Sequence, residues 1–174
     1  ACPGGAGCPC SSNGECDQSM CLETRQGSKC AATCTDASSC ATGQICTVVK
    51  GGGGDDASVC VEPAVHLCDP CKTSSECEAV GLRDSVCVDY GDRGAFCGAR
   101  CLGDADCGEN YGCRAVRAVD GGETLQCVRV DKLGLMAECA CSQEAKDKSK
   151  ETLCRNPGDG TGGSCPGKRS CGTA

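Results

Sequence analysis

The sequence predicts a small disulfide-rich protein: tandem modules of short β-hairpins and irregular loops, with little helix, in an elongated rod-like arrangement. Three observations predict it. Cysteine fills 24 of the 174 positions, a density that marks a disulfide scaffold. Cys30, Cys34, Cys40, Cys46 and Cys60 recur 67 positions later as Cys97, Cys101, Cys107, Cys113 and Cys127, and matched spacings of this kind are an internal duplication. Val, Ile, Leu and Phe together number only 22, too few for burial alone to fold such a chain. Cross-links must replace the core, each contributing about 2–4 kcal/mol by restricting the unfolded chain.

Within the duplication lies a smaller unit: Cys, five residues, Cys, four to nine residues, Cys, eight to thirteen residues, Cys. Four copies fit: Cys10/Cys16/Cys21/Cys30, Cys34/Cys40/Cys46/Cys60, Cys71/Cys77/Cys87/Cys97 and Cys101/Cys107/Cys113/Cys127. An extra cysteine precedes the first and third copies, in Cys8-Pro9-Cys10 and Cys68-Asp69-Pro70-Cys71. Residues 1–62 thus form one double module and 63–130 a second, leaving 131–174 as a divergent C-terminal module.

The second half of each unit is expected to be a hairpin. Residues 45–49 and 58–61 flank a Gly/Asp-rich turn, as do 86–90 with 95–97 and 115–119 with 124–130. β-prone runs around such turns are the hairpin signature. The first half is polar, rich in Ser, Thr and Asp, and suits a tight turn or one-turn helix with side-chain caps. If that loop folds back over the hairpin, the first cysteine meets the third and the second meets the fourth. Four cysteines allow three connectivities, and this one is preferred.

Beyond Lys132 the pattern changes. Cys139-Ala140-Cys141 echoes Cys8-Pro9-Cys10, and residues 142–153 carry Glu144 and Lys148 at helical spacing, so a short helix is expected there. The closing Cys165-Pro166-Gly167 resembles the opening Cys2-Pro3-Gly4. Eight cysteines, Cys2, Cys8, Cys68, Cys139, Cys141, Cys154, Cys165 and Cys171, fall outside the four units, at junctions and ends.

Twenty-four cysteines, an even number, point to an oxidising compartment, and the chain reads as secreted or cell-surface in a processed form. No apolar run approaches the length of a membrane span. Net charge is −7, and an acidic body argues against nucleic acid and anionic membrane as partners.

Candidate chemistry is sparse. The chain has one histidine, His66, in the segment between double modules, where a solvated role is expected. A Cys–His nucleophile needs a free, activated thiol, which the repeated, even cysteine set does not offer. The dominant gap of five residues matches neither a metallothionein nor a zinc ribbon. Asp104 and Asp106 alternate in a loop and are a weak calcium pair, with turn-capping the favoured role. No cofactor is expected, and no enzyme.

Tandem Cys-x5-Cys units followed by Gly-x-x-Cys, as in Cys40-Ala41-Thr42-Gly43-Gln44-Ile45-Cys46, are similar to secreted cysteine-rich repeat proteins of bacterial cell surfaces. They also resemble the small Dickkopf and EGF-like disulfide modules. The resemblance covers residues 8–130 and implies a fold style and a compartment, not an active site. The expected function is therefore a non-enzymatic extracellular structural protein, a subunit of a surface, matrix or filament assembly. Its partner would be itself or another extracellular protein. The alternative is a secreted ligand-binding or inhibitor-like protein that presents rigid loops.

Overall fold

The computed structural model describes residues 2–17, 20–50, 56–78, 84–137, 139, 145, 148–156 and 165–170, with backbone only at 92 and from 153 on. These residues fall into two compact units, one ending at Val65 and one beginning at His66. The protein is disulfide-rich and built of short antiparallel hairpins. The first unit holds β1 (Cys21–Thr24), β2 (Gly27–Cys30), β3 (Ile45–Lys50) and β4 (Asp56–Val61). The second holds β5 (Cys87–Asp89), β6 (Ala95–Cys97), β7 (Ala99–Arg100), β8 (Tyr111–Arg117), β9 (Glu123–Arg129), β10 (Glu151–Asn156) and β11 (Cys165–Ser170). The hairpins are β1–β2, β3–β4, β5–β6, β8–β9 and β10–β11.

Each cysteine unit supplies one hairpin, and the polar half-loops are single 3-10 turns at Asn13–Glu15, Ala37–Ser39, Ser74–Cys77 and Asp104–Asp106. The hairpin register sets the clamp. Cys21 faces Cys30, Cys46 faces Cys60, Cys87 faces Cys97 and Cys113 faces Cys127. Residues directly opposite on two strands point to the same side of the sheet. Both sulfurs of each pair therefore reach toward the loop that lies over that side. The bonds run Cys10–Cys21 and Cys16–Cys30, Cys34–Cys46 and Cys40–Cys60, Cys71–Cys87 and Cys77–Cys97, Cys101–Cys113 and Cys107–Cys127. First joins third and second joins fourth in every unit.

A third strand completes each unit. The residue before the first cysteine pairs antiparallel with the residue before the fourth: Pro9 with Lys29, Thr33 with Val59, Pro70 with Phe96, and Arg100 with Gln126. In the first three units the fourth-cysteine N–H donates to the carbonyl two residues before the first cysteine, at 2.8 Å (Cys8), 2.9 Å (Ala32) and 2.8 Å (Asp69). The return strand is thus paired on both edges. Proline is tolerated at positions 9 and 70 because the entry strand is an edge, where an N–H is dispensable.

The apolar residues the chain does have are concentrated. In the first unit Leu22, Ala31, Val49, Val59 and Val61 form one cluster. In the second, Val88, Tyr90, Phe96, Val116 and Val128 pack with Cys68 and Cys139. Tyr90 and Phe96 meet edge to face, with centroids 5.5 Å apart. Gly98 lets this sheet close: a Cβ there would stand 2.8 Å from the Gln126 Cβ. Gln126, fully buried, donates from Nε2 to Asp84 O at 2.9 Å and accepts from Val86 N at 3.3 Å.

The C-terminal segment belongs to the second unit. Cys139 bonds Cys68 across 71 residues. The Thr152 hydroxyl, fully buried, accepts from Ala95 N at 2.9 Å and donates to Cys71 O at 3.1 Å. These bonds draw residues 151–153, the end of the expected helix, into an extended strand. Ala145 is helical, Lys148 and Ser149 form a turn, and β10 starts at Glu151. The rest of the expected helix, including Glu144, lies outside the described residues.

Candidate interaction surface

The sixteen cysteines of the four units are all structural. The sulfurs of Cys10, Cys16 and Cys30 lie within 4.8 Å of one another, as do those of Cys34/Cys40/Cys60, Cys71/Cys77/Cys97 and Cys101/Cys107/Cys127. That proximity follows from two bonds crossing between one loop and one hairpin. A sulfur in a disulfide is not the thiolate that ligates metal or attacks substrate. Of the eight remaining cysteines, Cys2 bonds Cys8, closing the first loop, and Cys68 bonds Cys139. Cys154 and Cys165 lie on β10 and β11, opposite Gly167 and Asn156. Cys141 and Cys171 lie outside the described residues.

Side-chain caps hold the loops on the hairpins, by a rule repeated along the chain. An acid just before the second cysteine reaches back to the start of the loop. Glu15 accepts from Ser11 N (3.0 Å), Glu76 from Lys72 N and Thr73 N (both 3.1 Å), and Asp106 from Leu102 N (2.7 Å) and Gly103 N (3.2 Å). The residue three after the first cysteine then accepts from the third-cysteine N–H. Asn13 binds Cys21 N at 2.9 Å, Ser74 binds Cys87 N at 3.2 Å, and Asp104 binds Cys113 N at 2.7 Å. In the second cysteine unit (Cys34 to Cys60) this position is Ala37, and the cap comes instead from Asp36 on Ser38 N at 2.8 Å.

Asp104 and Asp106 therefore face two different sets of backbone donors. Asp104 also takes the Arg114 guanidinium at 2.9 Å. The Cys113 N–H, then Arg114, hold its carboxyl below the usual carboxylate range. These contacts are the turn-capping role weighed against calcium.

His66 departs from expectation: it is buried, not solvated. Its Nδ1 lies 3.3 Å from Asp69 Oδ2, and the same oxygen accepts from Lys150 Nζ at 2.9 Å. Asp69 is fully buried, so the charge is compensated by partners, as burial requires. The cluster ties the start of the third cysteine unit to the residue just before β10.

The most exposed apolar side chains lie in the second unit, on loops that are themselves rigid. Leu102 and Leu133 are each 83% exposed and Leu135 is 62% exposed. Leu133 and Leu135 sit in a loop, residues 131–135, folded around Asp131. Its Oδ1 accepts from Leu133 N at 2.8 Å and Leu135 N at 3.0 Å, and its own N–H donates to Leu135 O at 2.9 Å. Gly134 takes φ +76°, which a side chain would resist. Arg114 links this loop to the one bearing Leu102. It donates to Gly134 O through Nε (3.4 Å) and Nη2 (3.2 Å), and to Asp104 through Nη1. Gly112 makes room for it, since a Cβ there would stand 2.8 Å from Nη1. The available signal was Leu-Gly-Leu following Asp in a polar stretch, which reads as a turn carrying two leucines.

The first unit carries a concavity instead. A cavity of about 330 Å³ is walled by Leu22, Cys30, Ala31, Ala32, Cys60 and Val61, with Glu23, Lys29 and Glu62 among its polar lining. A second recess of about 350 Å³ shares Gln44 and Glu62 with it.

Compared with known proteins, the chain matches no family model, no curated protein and no solved structure.

Proposed function

We propose that the protein is a non-enzymatic, secreted structural protein that works by protein–protein contact, as a subunit of a surface, matrix or filament assembly. One observation carries the reading: a disulfide-clamped scaffold holds exposed leucines on loops fixed by their own carboxylate caps. Rigid loops dock with little ordering cost, and exposed apolar side chains in a soluble chain are interaction sites when they cluster. Twenty described cysteines are committed to ten bonds, in keeping with the oxidising environment of secreted proteins. No helix among the described residues is long and apolar enough to cross a membrane.

The second reading, a secreted module that presents rigid loops to a different protein, is favoured by the same Leu133–Leu135 loop. Sedimentation of the oxidised protein over a wide concentration range, with negative-stain microscopy, separates the two. Assembly of the purified chain supports the first. A chain that stays at 17.5 kDa at every concentration contradicts it and leaves the second.

A further inference from the structure

The cavity of the first compact unit has a filled counterpart in the second. Backbone hydrogen bonds set the correspondence. Cys30 N donates to Cys8 O at 2.8 Å, as Cys97 N does to Asp69 O at 2.8 Å. One residue earlier, Gly7 N donates to Cys30 O at 2.7 Å and Cys68 N to Cys97 O at 2.9 Å. Gly7 and Cys68 share a left-handed φ, +81° and +68°. Leu22 faces Lys29 across its hairpin as Val88 faces Phe96, and Thr24 follows Leu22 as Tyr90 follows Val88. Gln44 and Val61 recur, 67 positions on, as Tyr111 and Val128. The cavity wall of the first unit is therefore the aromatic cluster of the second without its aromatics. Leu22 and Val61 are buried as Val88 and Val128 are, so the floor is the same. Thr24, Lys29 and Gln44 in place of Tyr90, Phe96 and Tyr111 leave a volume of about 330 Å³ open above it.

An extended stretch of the C-terminal segment covers the filled version. Met136 bridges Val130 antiparallel, and Ala137 N donates to Arg129 O at 2.8 Å. Two residues on, Cys139 is buried in the cluster and bonded to Cys68. Glu62 corresponds to Arg129 by the same 67 positions. Among the described residues no backbone N–H donates to Glu62 O, and Gly7 has no side chain where Cys68 reaches Cys139.

We propose that the first unit takes the same kind of strand from a partner protein. An extended peptide donates to Glu62 O and, two residues later, seats an apolar side chain in the cavity beside Gly7. In strand addition of this kind the main-chain bond gives affinity and the pocket gives selectivity. The charges at the cavity fit a basic residue next to the seated one. Lys29 Nζ is held by Gln26 Oε1 at 2.8 Å, so its stem lines the wall, while Glu23 and Glu62 stay as lining carboxylates. The second unit has the opposite pairing in its sequence, Arg129 with a covering segment that carries Glu138. Such a site serves a monomer as well as a polymer, so it goes beyond the assembly reading and stands or falls apart from it.

The test titrates the full oxidised chain with a synthetic peptide of residues 134–140 that carries Glu138→Lys and Cys139→Val. The strand of the second unit stays tied by Cys68–Cys139, so the open site is the first. Amide resonances of Ala31, Ala32 and Glu62 should shift and saturate, while those of Phe96 and Val128 stay in place. A second peptide with Cys139→Asp should bind at least about tenfold more weakly, with the protein untouched. Gln44→Tyr in the protein should weaken the first peptide to a similar degree, because the hydroxyl of the corresponding Tyr111 reaches the Cys68 sulfur at 3.6 Å, the place of Gly7. No saturable shift at the three amides overturns the proposal. So does equal binding of the two peptides, or undiminished binding to a Gln44→Tyr chain that keeps the native disulfide map. An apolar dye that saturates the cavity while the peptide does not bind makes it a small-molecule recess. Movement of the same amides on dilution of the chain alone puts a second copy there. Either result also overturns it.

Discussion

Tyr111 donates its hydroxyl to the sulfur of Cys68 at 3.6 Å, on a disulfide that joins the head of the third cysteine unit to the C-terminal segment. The Tyr90 hydroxyl stands 3.5 Å from the other sulfur, Cys139, and Phe96 packs edge-on against Tyr90. All three aromatic residues of the chain therefore share one cluster with its longest described cross-link.

Removing that cross-link should be the costliest single cut. It closes a separation of 71 residues, and loop-closure entropy gives such a bond about 4 kcal/mol. Cys68→Ala with Cys139→Ala should lower the urea midpoint by a matching amount while the paired bonds of the modules persist. Tyrosine fluorescence should rise, since the quenching disulfide is gone. An unchanged midpoint would show that the bond contributes nothing.

Tyr90 should resist ionisation. Burial, reinforced by neighbouring Tyr111, pushes its hydroxyl well above the ordinary phenol value of 10.0. In Tyr111→Phe, which leaves Tyr90 as the only tyrosine, tyrosinate absorbance should stay low at a pH of about 10.5, where a free phenol is mostly ionised. The folded phenol holds its proton more tightly than the unfolded one. Its contribution is therefore full below the unfolded value and is lost as pH rises toward the folded one.

The missing cap of the second cysteine unit, Cys34 to Cys60, can be supplied. Asn13, Ser74 and Asp104 each accept from the third-cysteine N–H of their own unit, and Ala37 cannot. Cys60 N is occupied by Ala32 O at 2.9 Å, and Cys46 directly opposite it turns its N–H toward the loop. Ala37→Asn should add about 0.5–1.5 kcal/mol of stability, and Asn13→Ala should remove a similar amount. Denaturant midpoints check both signs.

Acid should loosen the loops before it opens the hairpins. Asp36, Asp104 and Asp120 are all held below their ordinary value of 3.8, chiefly by Ser38, by Cys113 N–H and by Ser74 respectively. A depressed carboxylate contributes stability above its unfolded value and loses it as pH falls through its folded value. Protection factors of the Cys113 and Ser74 amides, taken relative to the intrinsic rate at each pH, should therefore fall below pH 4 and stay level from pH 5 to 7. Asp104→Asn should remove the step at Cys113.

The cysteine pattern made the hairpins and their clamps legible, because a five-residue loop between two half-cystines has little freedom over a hairpin. Gly121 and Gly122, both at positive φ, announced the β8–β9 turn. The entry strands were not legible: a bridge of one or two residues, with Pro9 or Pro70 in it, carries no propensity signal. The expected helix over 142–153 holds a helical Ala145 but gives way to β10 at Glu151, since the deciding contact there, Thr152 with Ala95 and Cys71, is tertiary. His66 looked solvated because what buries it is tertiary: its neighbour Asp69, three residues on, is tied to Lys150, 81 positions away in sequence. The leucine loops stayed hidden because nothing in Asp-Lys-Leu-Gly-Leu says whether its leucines are covered.

The disulfide map tests the clamp most directly. Proteolysis of the oxidised protein at acid pH, followed by mass spectrometry, should return Cys10–Cys21, Cys16–Cys30, Cys34–Cys46 and Cys40–Cys60, with the equivalent four bonds in the second double module and Cys68–Cys139 between segments. Bonds across a hairpin, such as Cys21–Cys30 or Cys46–Cys60, or within a loop, such as Cys10–Cys16, would contradict it.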